Sequence, residues 1–112
     1  MATIKAYTDL EQSKKLAEIL PLESADMCYY EYTSHIDGTP KVGYKEGITE
    51  GIPCWSLAAL LGVLSYPYIR QRYNGDWVCR VENKDTTYLW VESNPIDACV
   101  AVIEKLHEEN IL

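Results

Sequence analysis

The chain has 112 residues and a formal charge of −7, from 17 acidic and 10 basic side chains, with hydrophobic content of 47%. That length is one domain able to bury about two thirds of its unfolded surface, and the composition excludes low-complexity and disordered classes. The acidity repels a phosphate backbone, which argues against non-specific nucleic-acid binding.

The first predicted helix spans residues 9–20. Thr8 and Glu11 form a capping box, Leu10, Ser13, Leu16, Ala17 and Leu20 share one face, and Pro21 ends it. Residues 27–34 alternate Cys28, Tyr30 and Tyr32 against Tyr29, Glu31 and Thr33, the period of a strand. Asp37-Gly38 suits a tight turn, and residues 40–45 return as a second strand that Pro40 confines to a sheet edge. Residues 46–51 read as a loop.

Residues 51–69 carry no charge, but Pro53 and Pro67 bracket the stretch and leave about twelve helical residues. At ~18 Å this falls short of ~30 Å of hydrocarbon, so a buried helix over residues 53–64 is predicted, with Pro53 in its first turn. Leu57, Leu60, Leu61 and Leu64 make one stripe for the core. Trp55, Ala58, Ala59 and Gly62 make a second, which permits close approach by a sheet, another helix or a second subunit; cover by the chain's own sheet is the preferred reading.

All three arginines, Arg70, Arg72 and Arg80, fall within eleven residues of a predicted hairpin. A three-residue loop, Tyr73-Asn74-Gly75, brings Ile69 opposite Cys79 and Gln71 opposite Trp77, and separates charged from apolar positions where a two-residue loop mixes them. A similar loop at Asn83-Lys84-Asp85 pairs Cys79 with Leu89 and Trp77 with Val91. One face is then Ile69, Gln71, Trp77, Cys79, Val81, Thr87, Leu89 and Val91. The other carries Tyr68, Arg70, Arg72, Val78, Arg80, Glu82, Tyr88 and Trp90, an arginine and aromatic platform suited to anions, flat rings or a protein partner. The last helix has Asn94 at its cap, Pro95 first and Asp97 in the first turn; Ile96, Cys99, Val100, Ile103 and Leu106 face inward, and Ile111 and Leu112 fold back or reach a neighbour.

Catalytic signals are thin. Cys28, Cys54, Cys79 and Cys99 form no C-x-x-C pair and sit at apolar positions, so buried free thiols are expected and neither metal nor cofactor is. His107 lies on the apolar side of the last helix and His35 in a turn. A Cys54/His35 pair, or carboxylate pairs such as Glu46 with Glu50 and Glu108 with Glu109, have no spacing that sets them apart from chance. No glycine-rich phosphate loop is present. The chain opens without a charged start, apolar run and cleavage site, so a cytoplasmic location is expected.

The stretches EQSKKLAEIL (11–20), SADM (24–27), IPCWSLAALL (52–61) and PIDACV (95–100) resemble a family of small uncharacterised proteins from gut Bacteroidales and their prophage-like or other mobile elements. The resemblance covers about half the chain, omits the arginine hairpin, and implies a cytoplasmic bacterial or phage accessory protein with no assigned activity.

The reading as a whole is one α+β domain: three helices on one face of an antiparallel sheet with strands near 27–34, 40–45, 68–73, 76–82 and 86–92. The expected function is a non-enzymatic protein-interaction module that meets a protein partner or a second copy of itself. Its contact residues are Tyr68, Arg70, Arg72, Arg80, Tyr88 and Trp90, with Trp55, Ala58, Ala59 and Gly62 as an alternative interface. The rival is a small enzyme or binding domain for an anionic or aromatic ligand held by the three arginines.

Overall fold

The computed structural model describes residues 5–33, 40–44 and 51–112. The expected turn at Asp37-Gly38, His35, and the pair Glu46 and Glu50 lie outside them.

Helix α1, Leu10–Ile19, is capped one residue later than the sequence suggests. Asp9 accepts from the Gln12 backbone N–H at 2.8 Å, and the Gln12 side chain accepts from the Asp9 N–H at 3.0 Å. Thr8 is engaged elsewhere: its hydroxyl accepts from the Trp55 N–H at 3.1 Å and lies 2.7 Å from the Ser13 hydroxyl. Glutamine serves at the third helical position as glutamate would, so two overlapping boxes were available and burial of Thr8 selected the second.

Among the described residues six strands form two sheets rather than one. The first has the order β2-β1-β3, from β1 Met27–Thr33, β2 Pro40–Tyr44 and β3 Ile52–Cys54, all antiparallel. Pro40 is on an edge strand, as its missing N–H requires. Residues 52–54 are the correction. Instead of opening a helix, Ile52, Pro53 and Cys54 pair with Tyr29, Cys28 and Met27, on the opposite edge where a proline is again tolerated. Helix α2 therefore begins later, as Leu57–Val63. Ser56 caps it: its hydroxyl accepts from the Ala59 N–H at 3.2 Å and donates to the Asp26 carboxylate.

The second sheet has the order β4-β5-β6, from β4 Tyr68–Gln71, β5 Trp77–Asn83 and β6 Thr86–Glu92. Helix α3, Pro95–Glu108, covers it. Asn94 accepts from the Asp97 N–H at 2.9 Å and Pro95 leads the helix, as expected. Its predicted inner residues Ile96, Cys99, Val100, Ile103 and Leu106 are all buried. The main core lies between this sheet and the three helices, with Leu16, Leu20, Leu60, Leu64, Cys79, Val81, Ile96 and Ile103 among its members.

A small polar knot ties the first sheet to the helices. Thr8 N–H donates to the Trp55 carbonyl at 2.9 Å, and the Tyr29 hydroxyl donates to the Thr8 carbonyl at 2.8 Å. Thr8, Ser13 and Cys54 are all wholly buried. No buried side-chain nitrogen or oxygen among the described residues lacks a hydrogen-bond partner, so the knot carries no desolvation penalty of the kind an orphaned group would.

Candidate functional site

The β4–β5 hairpin fixes one side of the site. Gly75 N–H donates to the Arg72 carbonyl at 2.9 Å and Arg72 N–H to the Asp76 carbonyl at 2.6 Å, with Gly75 at φ +96°. This is a tight turn closed by a glycine in the left-handed region, the three-residue loop that charge separation predicts. Tyr68 faces Arg80, Ile69 faces Cys79, Arg70 faces Val78 and Gln71 faces Trp77.

The β5–β6 connection is shorter than predicted by one residue. Asn83 pairs with Thr86 across Lys84-Asp85, and Lys84 itself takes φ +57°. The whole of β6 is consequently shifted: Cys79 faces Trp90 and Arg80 faces Leu89. Tyr88 and Trp90 leave the platform for the side that α3 covers, while Thr87, Leu89 and Val91 join it. Tyr88 is 8% exposed and its hydroxyl donates to the Glu109 carboxylate at the end of α3, a bond that raises the phenol's pKa. Trp90 stays 45% exposed at the sheet edge, its indole N–H on Glu92 at 2.8 Å. Both rings have a polar tip, so either face can accommodate them, and the apolar pattern of β6 therefore did not fix its register.

What remains on the other face, which no described residue covers, is a shallow hollow of about 320 Å³ lined by Tyr68, Arg70, Arg72, Arg80, Val78, Leu89 and Val91. The arginines surround an aliphatic floor. Arg80, on the central strand, holds its guanidinium carbon 4.6 Å from the centre of the Tyr68 ring. Among the described residues none of the three guanidiniums forms an ion pair; the pairs present belong to Lys5 and Lys105. Guanidiniums outside any such ion pair, beside aliphatic surface, can bind carboxylates through paired N–H groups while apolar contact supplies the rest.

The second predicted interface divides. Trp55 is completely buried and precedes α2 rather than lying on it; its indole N–H donates to Ser24 at 2.9 Å. It belongs to the core. Ala58, Ala59 and Gly62 line an open groove of about 860 Å³ with Ile19, Leu20, Pro21, Ala25, Val63 and Leu112, so no sheet among the described residues covers them. A Cβ built on Gly62 would meet nothing within 4 Å, which separates this glycine from close-packed contact.

All four cysteines are buried, as expected. Burial raises the Cys54 thiol, and the hydrogen bond to Cys79 together with burial raises that of Cys99. Thiols held this way are poor nucleophiles. His107 is exposed rather than on the apolar side, with Nδ1 3.2 Å from the Leu112 carbonyl. Glu108 and Glu109 are exposed.

One polar cluster escaped the sequence. Lys5 donates to Asp9 at 3.0 Å and, across 92 positions of sequence, to Asp97 at 2.9 Å, and the Gln12 side-chain amide donates to Asp97 at 2.7 Å, joining α1 to α3 across 85 positions. Asp97 in a first helical turn was the only local signal. Burial alone would lower Lys5 and raise Asp97; the hydrogen bonds of Lys5 to Asp97 and Asp9, and those that Asp97 accepts from Lys5, Gln12 and Asn94, reverse both, holding Lys5 above and Asp97 below the ordinary values.

Among the described residues there is no group of three histidine, cysteine or acidic side chains able to hold a metal, and no helix long and apolar enough to cross a membrane. No protein-family model, no curated protein and no solved structure matches the chain.

Proposed function

We propose that the protein is a binding module whose contact surface is the uncovered face of the second sheet, and that its partner is another protein presenting carboxylates. The observation that carries this is the trio Arg70, Arg72 and Arg80, unpaired among the described residues and set around Val78, Leu89 and Val91. Charge without an internal partner contributes little to folding and is available to a ligand. The hollow's lining is guanidinium, phenol and aliphatic carbon, a set that binds rather than transfers groups. This favours the module over the rival enzyme, and it fits the accessory role that the family resemblance implies.

The test is comparative capture. The wild-type chain and an Arg70→Glu/Arg80→Glu variant, matched for thermal midpoint, serve as baits in the same lysate. Partners enriched by the wild type and absent with the variant are expected; the same partners on both baits would remove this face from the interaction.

A further inference from the structure

The β4 strand is the edge of its sheet, and its pairing to β5 determines which of its backbone groups are uncommitted. Arg72 N–H bonds the Asp76 carbonyl, so the Arg72 and Asp76 pair is a hydrogen-bonded one. In an antiparallel ladder such pairs alternate, which makes Arg70 with Val78 and Tyr68 with Arg80 hydrogen-bonded as well. Ile69 and Gln71 are then the non-bonded pairs, and their N–H and C=O groups point away from β5. No other strand lies on that side among the described residues.

We infer that the partner segment is an extended acidic peptide that adds to β4 as a fourth, antiparallel strand, with carboxylates at alternate positions against Arg72 and Arg70. This rests on the face reading above and specifies its ligand. A strand added there bonds through the backbone of Ile69 and Gln71, while its side chains opposite Arg72, Arg70 and Tyr68 emerge on the same uncovered face. The charge of that row selects the occupant. A second copy of this chain pairing antiparallel through β4 about a two-fold axis at Arg70 or Gln71 would set an arginine of one strand against an arginine of the other, which disfavours self-association along this edge in the registers that use both arginines. A segment with acidic, any, acidic, any, aromatic order meets two guanidiniums and the Tyr68 ring instead. Tyr66 and Tyr73, 94% and fully exposed, stand beyond the two ends of β4.

The probe is a fluorescein-labelled heptapeptide, Thr-Glu-Val-Glu-Val-Tyr-Thr, against its isomer Thr-Glu-Glu-Val-Val-Tyr-Thr, read by anisotropy at low salt. The alternating peptide is expected to bind at least about tenfold more tightly, because only it presents both carboxylates to one face. N-methylation of its two valines, whose amides face β4, abolishes that advantage; N-methylation of the two glutamates, whose amides face solvent, preserves it. Arg70→Glu/Arg72→Glu, with an unchanged far-ultraviolet spectrum, loses the alternating peptide. Equal binding of both isomers, insensitive to methylation yet lost in the arginine variant, overturns strand addition and leaves the face reading standing. Tighter binding of an oligothymidylate than of either peptide overturns the peptide as ligand. No binding of any probe overturns both readings.

Discussion

At Gly51 the backbone has φ +134°, and a Cβ would stand 2.2 Å from the Tyr29 carbonyl oxygen, where β3 approaches β1. A side chain there meets backbone that cannot step aside. Gly75, at φ +96° with open space around it, meets only conformational cost. Gly51→Ala is therefore expected to destabilise by roughly 3 kcal/mol or more and Gly75→Ala by about 1 kcal/mol, in urea unfolding of both variants. Asp97 belongs to the same scale. Its pKa is depressed from the ordinary 3.8, so the stability it contributes is present above that value and lost as the pH falls through the depressed one. Lys5, raised above 10.5, contributes below that value and loses its contribution as the pH climbs through its own pKa. Asp97→Asn should remove about 1 kcal/mol of the acid-sensitive stability, seen as a smaller loss as the pH falls from about 4 to about 2 than the wild type shows. The sequence marked Asp97 as a helix-start carboxylate but held no sign of Lys5, because that contact exists only once α1 and α3 have packed.

The two turns of the second sheet show at the level of elements what was legible and what was not. Asn74-Gly75 declares its turn locally, since glycine at the left-handed position is a property of the residue itself, and the β4–β5 register follows. Lys84 gives no such sign. A lysine at φ +57° bears a cost, about 1 kcal/mol, that the sheet pairing on both sides offsets. Lys84→Gly is accordingly expected to stabilise by about 0.5–1 kcal/mol, measured as a higher midpoint in urea with the slope unchanged. The strand at residues 52–54 was hidden for a different reason. Its apolar run and Pro53 suit a helix start and an edge strand alike, and pairing with β1, about 25 residues earlier, decided between them. Four of the six predicted contact residues nevertheless stand on the face assigned to them, because Tyr68, Arg70, Arg72 and Arg80 depend only on the turn that was readable.

Over the whole molecule, two sheets attached to a shared set of helices give extents of 49 × 34 × 20 Å and a radius of gyration of 14.7 Å, against about 13 Å for a rounder chain of this length. Three arginines on one sheet face of a chain carrying −7 make a strongly polarised surface charge. Association of an acidic peptide with that face is expected to slow by about tenfold between low salt and ~0.3 M, in stopped-flow anisotropy, with dissociation changing much less. The knot at Thr8 bears on how the chain acquires this shape. The sheet that carries the arginines is assembled from neighbouring strands joined by tight turns and followed at once by α3, so its contacts close short loops. Thr8 instead holds Trp55 across 47 positions, a closure with a larger entropic cost. The arginine sheet with its helix is therefore expected to form first and the knot to close last. Native-state hydrogen exchange would show this as earlier loss of protection at the Thr8 and Trp55 amides than at Cys79 and Val81. A chain emerging from synthesis would on this account have its β1 segment waiting, unpaired on one side, for residues 52–54 to follow.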